Sequence, residues 1–315
     1  MTRVAAVDCG TNSIRLLVAD VDPETGELTD LDRRMTIVRL GQGVDRTGRL
    51  APEALERTFA ACREYAAVIK ELGAEKVRFV ATSASRDASN RDDFVRGVLD
   101  ILGVEPEVIT GDEEAQLSFA GAASAQSGRG DAQALRTLVF DVGGGSTEFV
   151  LGTQTAEQAT VDAARSVDIG CVRLTERHGL TGGPLTDEQI AAVRADIDKA
   201  LDQAAGAVPL TEADVYIGLA GTVTTLAGIA LDLPEYDSAA IHRSVLPYQQ
   251  VKTVTHRLIG ATHDERAAIP VMHPGRVDVI CAGALIVLAI MERTGAEELL
   301  VSEHDILDGI ALSAA

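Results

Sequence analysis

The chain has 315 residues, 46% apolar and 24% charged, an ordinary globular composition with length for about two domains of roughly 150 residues each. Lys and Arg number 28 against 48 Asp and Glu, so the net charge is −20 and a broad basic surface for nucleic acid is excluded. The apolar run Val279–Met291 is shorter than the ~18 residues of a membrane span, and Asp8 interrupts the N-terminal apolar stretch, so neither a membrane segment nor a signal peptide is expected.

Val4–Val7 and Ile14–Asp20 flank the polar turn Asp8–Ser13, which predicts a hairpin. A strand is expected over Thr36–Leu40. Pro52 opens a helix in which Leu55, Phe59, Cys62, Val68 and Ile69 share a face as far as Leu72, and Gly73 ends it. Lys76–Ala81 reads as a strand, Thr82–Asn90 as a polar connection, and a helix follows to Leu102. A short strand is expected at Val108–Thr110, then a helix from Gly111 to about Ala123. The polar stretch Ser124–Ala134 is the best boundary, which predicts domains over 1–128 and 129–303. Thr137–Phe140 and Thr147–Gly152 flank a second turn, Asp141–Ser146. Beyond it are expected a helix over Thr186–Ala205, a strand at Val215–Leu219, a turn at Gly221 leading into a helix to Ala230, a helix over Val277–Arg293 and a strand near Leu299–Val301. A last helix, about 304–315, is expected to pack back onto the first domain. Alternating strands and helices place the chain in the α/β class. Cys9, Cys62, Cys171 and Cys281 show no CxxC spacing and read as buried thiols of a reducing, cytoplasmic setting.

Two segments repeat: Val4–Ser13 (VAAVDCGTNS) and Thr137–Ser146 (TLVFDVGGGS). Asp8 matches Asp141, Gly10 matches Gly143 and Ser13 matches Ser146. Each copy has the chemistry of an anion cradle. Glycines let backbone N–H groups approach phosphate oxygens, and Thr11, Asn12, Ser13, Ser146 and Thr147 add side-chain donors. Asp8 and Asp141 end their strands in places suited to hold Mg²⁺. Both turns lead into strands, which excludes a dinucleotide fingerprint, and no GK[ST] is present, which excludes a P-loop.

The pair DCGTNSIRLLV and DVGGGSTEFVLG resembles the two phosphate loops of the actin-like ATPase superfamily. Within it the chain resembles the exopolyphosphatase/guanosine pentaphosphate phosphohydrolase family, through Glu148 of GGGSTE and through TGDEEAQL (Thr110–Leu117). The likeness continues in ATSASRDASN (81–90), SVDIGCVRL (166–174), GLAGTVTTLAG (218–228), RVDVICAGALIVL (276–288) and VSEHDILDG (301–309), nearly the whole chain. It implies two ribonuclease H-like α/β domains facing across a cleft and a homodimer. It also implies Mg²⁺-dependent release of orthophosphate from inorganic polyphosphate, with Mn²⁺ as the alternative ion. Guanosine pentaphosphate is the alternative substrate, and a sugar- or acetate-kinase-like phosphotransferase and a non-catalytic alarmone or polyphosphate sensor are further readings.

The resemblance assigns the general base to Glu114, although Glu113 and Glu114 also suit a first helical turn as dipole-complementing acids. It places Arg86 on substrate phosphate, where a guanidinium binds oxygens in pairs, with Asn90 as a weaker companion. Alternation along the return strand turns Glu148 toward whatever the second loop (Gly143, Gly144, Gly145) cradles. A carboxylate there requires a cation, so Asp141 and Glu148 are expected to handle Mg²⁺, with Glu148 a second candidate for positioning water. Gly221 and Thr222 could meet a further phosphate at a helix start or serve close strand–helix packing. Arg15 reads as a strand residue outside this set, and the six His as structural.

Two departures stand out. Where the family often reads SExGLRxG, this chain has Asp305 for the Gly and Leu307 for the Arg, whose role is missing or passes to another residue such as Arg276 or Arg243. Longer family members carry an extra helical domain beyond this length, and a preference for short polyphosphate is expected here.

Overall fold

The computed structural model describes residues 1–124, 135–154 and 159–315. Contacts divide the chain into two units, Met1–Ser124 with Asp305–Ala315, and Ala125–His304. The expected boundary at 128/129 lies outside the described residues.

In the first unit, β1 (Thr2–Cys9), β2 (Ser13–Val21), β3 (Leu28–Ile37), β4 (Lys76–Ala81) and β5 (Glu107–Val108) form a sheet of order β3-β2-β1-β4-β5. The β1–β2–β3 pairings are antiparallel and β1–β4–β5 parallel. Alternation along β1 buries both faces. Ala5, Val7 and Cys9 enter a core with Cys62, Tyr65 and Phe94 of helices Pro52–Leu72 and Arg91–Leu102. Val4 and Ala6 enter another with Leu117 of helix Gly111–Ser124 and with Ile306, Leu307 and Ile310 of helix Ile306–Ala314.

In the second unit, β6 (Leu135–Val142), β7 (Thr147–Gln154), β8 (Ala159–Val167), β9 (Val215–Leu219), β10 (Val245–Pro247) and β11 (Glu298–Val301) form a sheet of order β10-β11-β9-β6-β7-β8. Again three antiparallel strands (β8-β7-β6) continue into parallel ones (β9-β11). The repeat seen in the loops therefore extends to the topology of both sheets, the ribonuclease H-like order. The core here is built around helix Ile280–Thr294, most of whose residues are buried, which is why its sequence is apolar on all sides. Among the described residues no helix is long and apolar enough to cross a membrane.

Several elements differ from expectation. The strand expected over Thr36–Leu40 ends at Ile37, because the Val38 and Arg39 N–H groups both donate to Asn12 O and Gly41 N–H to Thr11 O, drawing the chain off the ladder to bracket the first loop. The Thr82–Asn90 connection contains a short helix, Ser83–Asp87. The strand expected over Val108–Thr110 is Glu107–Val108. No turn separates β9 from its helix: Leu219 runs directly into Ala220–Ala230 through Ala220, which has φ 67°. The apolar helix begins at Ile280, because Pro274–Arg276 form a 3₁₀ turn ahead of it. β8 and the helices Cys171–His178 and Tyr248–Gly260 are additional.

Candidate active site

In the first unit the β1–β2 turn is closed by Gly10 N–H on Ser13 O at 3.0 Å. Thr11 shares a hydrogen bond of 2.8 Å with the Ser83 hydroxyl, and Asn12 Oδ1 is buried with no hydrogen-bond partner, an acceptor that ligand or solvent must meet. Asp8 stands opposite Arg15 in the β1–β2 register. Its Oδ2 accepts from Arg15 Nε at 3.0 Å and Nη2 at 2.6 Å, and Arg15 Nη1 also donates to Asp305 Oδ2. Burial raises the Asp8 pKa, with Arg15 opposing. The carboxylate expected to hold metal is thus engaged by a guanidinium. Arg15 itself was not expected at the site, although it follows Asp8 by the same interval as Glu148 follows Asp141, and that spacing was the available signal.

Arg86 and Glu114 come together. Arg86 Nη1 donates to Glu114 Oε2 at 3.2 Å and to Ile109 O at 3.1 Å. Glu114 is 8% exposed, in the first turn of helix Gly111–Ser124. Its neighbour Glu113 is outside this pair, on Arg78 at 3.1 Å. Asn90 is not a companion of Arg86: its amide bonds the Leu50 N–H and carbonyl. Leu307 is a core residue, and Arg276 and Arg243, suggested as substitutes for a family Arg there, belong to the other unit.

The second loop repeats the first, with Gly143 N–H on Ser146 O at 3.1 Å. Its carbonyls are tied to the start of helix Cys171–His178. Gly143 O accepts from Cys171 N, Gly144 O from Val172 N and Arg173 N, and Gly145 O from Arg173 Nε at 2.6 Å. In a trans peptide the N–H points opposite to the C=O. The N–H groups of Gly144, Gly145 and Ser146 are therefore directed away from that helix, as a nest for an anion needs. Gly170 is required by the close approach, since a Cβ on it would lie 2.4 Å from Gly144 C and O. Thr147 is fully buried and its hydroxyl donates to Ile169 O at 2.8 Å.

Asp141 and Glu148 stand directly opposite one another on β6 and β7, 7% and 1% exposed, and Ser166 Oγ donates to Glu148 Oε1 at 2.7 Å. Opposite residues of an antiparallel pair share a face. The two hairpins are therefore opposites in charge: Asp8 faces a cation, Asp141 another anion. Among the described residues no group of three or more His, Cys, Asp or Glu could hold a metal. Mg²⁺ needs only one or two carboxylates when phosphate and water complete its shell, so the pair fits it. Gly221 and Thr222 lie in the first turn of helix Ala220–Ala230, where Arg276 donates to Gly221 O and, at 3.0 Å, to Thr225 Oγ1.

Residues 17–315 match the Ppx/GppA phosphatase family. The chain is 51% identical to "Exopolyphosphatase 2" of Mycobacterium tuberculosis, over 100% of this chain and 99% of that one. It is 30% identical to a "Guanosine-5'-triphosphate,3'-diphosphate pyrophosphatase" of Vibrio atlanticus, over 98% of this chain and 58% of that one. A crystal structure of an exopolyphosphatase-like protein superposes with a TM-score of 0.93 at 42% identity, covering 99% of this chain and 97% of that one.

Proposed function

Because the chain belongs to the Ppx/GppA phosphatase family, we propose that it is an exopolyphosphatase, hydrolysing the terminal phosphoanhydride of inorganic polyphosphate to release orthophosphate. The observation that carries this reading is the Asp141–Glu148 pair on the strands flanking the N–H nest of Gly144–Ser146. The nest binds terminal phosphate oxygens through backbone donors, which the −20 net charge makes necessary. Asp141 and Glu148 would hold Mg²⁺, which when bound would neutralise charge on phosphate oxygens. Glu114 accepts a proton from the attacking water, and Arg86 fixes the orientation of its carboxylate. The water oxygen bonds to the terminal phosphorus as the bridging P–O bond breaks, so orthophosphate and a chain one unit shorter leave. A homodimer and a cytoplasmic setting accompany this reading on the family resemblance, the latter also on the four buried thiols.

The test is phosphate release with Mg²⁺ from tripolyphosphate, long polyphosphate, guanosine pentaphosphate and ATP, by the wild type and by Glu114→Gln. Release from polyphosphate is expected to fall by about 10²–10⁴-fold in the variant, and the two polyphosphates read the expected short-chain preference. Preferential release from guanosine pentaphosphate would shift the assignment to that substrate. Binding of polyphosphate without Glu114-dependent release would replace the hydrolase with a sensor.

A further inference from the structure

Arg15 bridges two buried acids, Asp8 and Asp305, which are 5% and 4% exposed. One guanidinium thus faces two carboxyl groups, two residues after the Gly10–Ser13 turn. The two oxygens of Asp305 have separate tasks. Oδ1 accepts from Leu307 N–H at 3.0 Å and caps helix Ile306–Ala314, while Oδ2 meets Arg15. The capping box is completed by Asp305 N–H on Asp308 Oδ2 at 2.9 Å. Asn or Ser would cap that helix as well as Asp does, so the cap does not require the charge. Beyond complementing the helix dipole, the negative charge is directed at Arg15. The Arg15 side chain keeps 20% of its surface exposed, and a guanidinium edge that takes a carboxylate also takes a phosphoryl oxygen.

We propose that Asp305 is an internal competitor for Arg15, a positioning residue whose carboxylate occupies the guanidinium edge that a polyphosphate oxygen would otherwise take. The inference rests on the hydrolase reading for its substrate class. It makes Asp305 a discriminator by charge. A highly charged polyphosphate terminus displaces the carboxylate, whereas orthophosphate, with less charge, does so poorly and is not retained as product.

The experiment compares Asp305→Asn with the otherwise identical protein in a Glu114→Gln background, by calorimetric titration with tripolyphosphate and with orthophosphate in Mg²⁺. Removing the charged competitor is expected to tighten orthophosphate about tenfold and tripolyphosphate less, about threefold. In the Glu114-intact protein, KM for tripolyphosphate should fall by a similar factor while kcat holds, and orthophosphate inhibition should strengthen. With Arg15→Ala also present, Asp305→Asn should change neither Kd, which a purely structural role for Asp305 would not predict. Thermal melting reports whether the cap survives, and Asp305→Ser, which caps without a carboxylate, replaces the Asn variant if it does not. Unchanged or weaker binding in the capped, folded variant overturns the inference, as does absence of binding in both proteins. Binding that responds to Asp305 in a protein that releases no phosphate would instead remove the hydrolase reading and leave the competitor in place.

Discussion

Tyr65 joins a helix to the first hairpin through a single hydroxyl. It donates to Ile14 O at 3.0 Å and shares a bond of 3.0 Å with Thr36. Burial pushes its pKa from 10.0 up to about 12. The folded protein therefore keeps the phenol proton after the unfolded chain has lost it, so stability falls as pH rises from about 10 to about 12, by up to about 3 kcal/mol. Tyr65→Phe should cost about 1 kcal/mol at pH 8 and flatten part of that alkaline decline, as read from denaturant midpoints at both ends of the range. Individual residues were unevenly legible in the sequence. Glu114 and Arg86 stand out by motif, and the structure shows that they meet. Arg15 does not stand out, because exposure cannot be read from one strand residue. Nor does composition reveal that a hydroxyl such as that of Thr147 is spent on a backbone carbonyl.

Helix Cys171–His178 shows how an element can act without touching substrate, because its first N–H groups set the direction in which the second loop faces. Gly170→Ala would push this helix and the loop apart, backbone against backbone, with no flexible side chain to yield. The expected outcome is a loss of about 1–3 kcal/mol of stability and a rise in KM for polyphosphate, measured by melting and steady-state kinetics. Long periodic elements such as Pro52–Leu72 and the paired hairpins were evident in the sequence. Helix Cys171–His178 was not, being two turns long. β8 was not, because it is a sheet-edge strand of mostly half-exposed or exposed residues with little alternation. In helix Tyr248–Gly260 the spacing of Val251, Val254 and Leu258 was present but lies among polar residues.

For the whole molecule, the −20 net charge opposes the approach of a polyanion at any distance the solvent does not screen. Screening shortens from about 30 Å at 0.01 M salt to about 8 Å at 0.15 M. At saturating Mg²⁺, kcat/KM for long polyphosphate should therefore rise across that range. A steady fall would mean that local attraction outweighs the net field. The division into units also places an order on synthesis. The first unit takes its closing helix, Ile306–Ala314, from beyond the entire second unit. On the ribosome the second unit can fold from one continuous stretch, while the first waits with the apolar flank of its Glu114-bearing helix uncovered until residue 305 and those after it emerge. Gly121 and Gly309 fit that late arrival closely: a Cβ on Gly121 would lie 1.8 Å from Asp305 O, and one on Gly309 2.0 Å from Leu117 O. The nascent chain thus carries the helix that bears Glu114 long before it owns the helix that covers it.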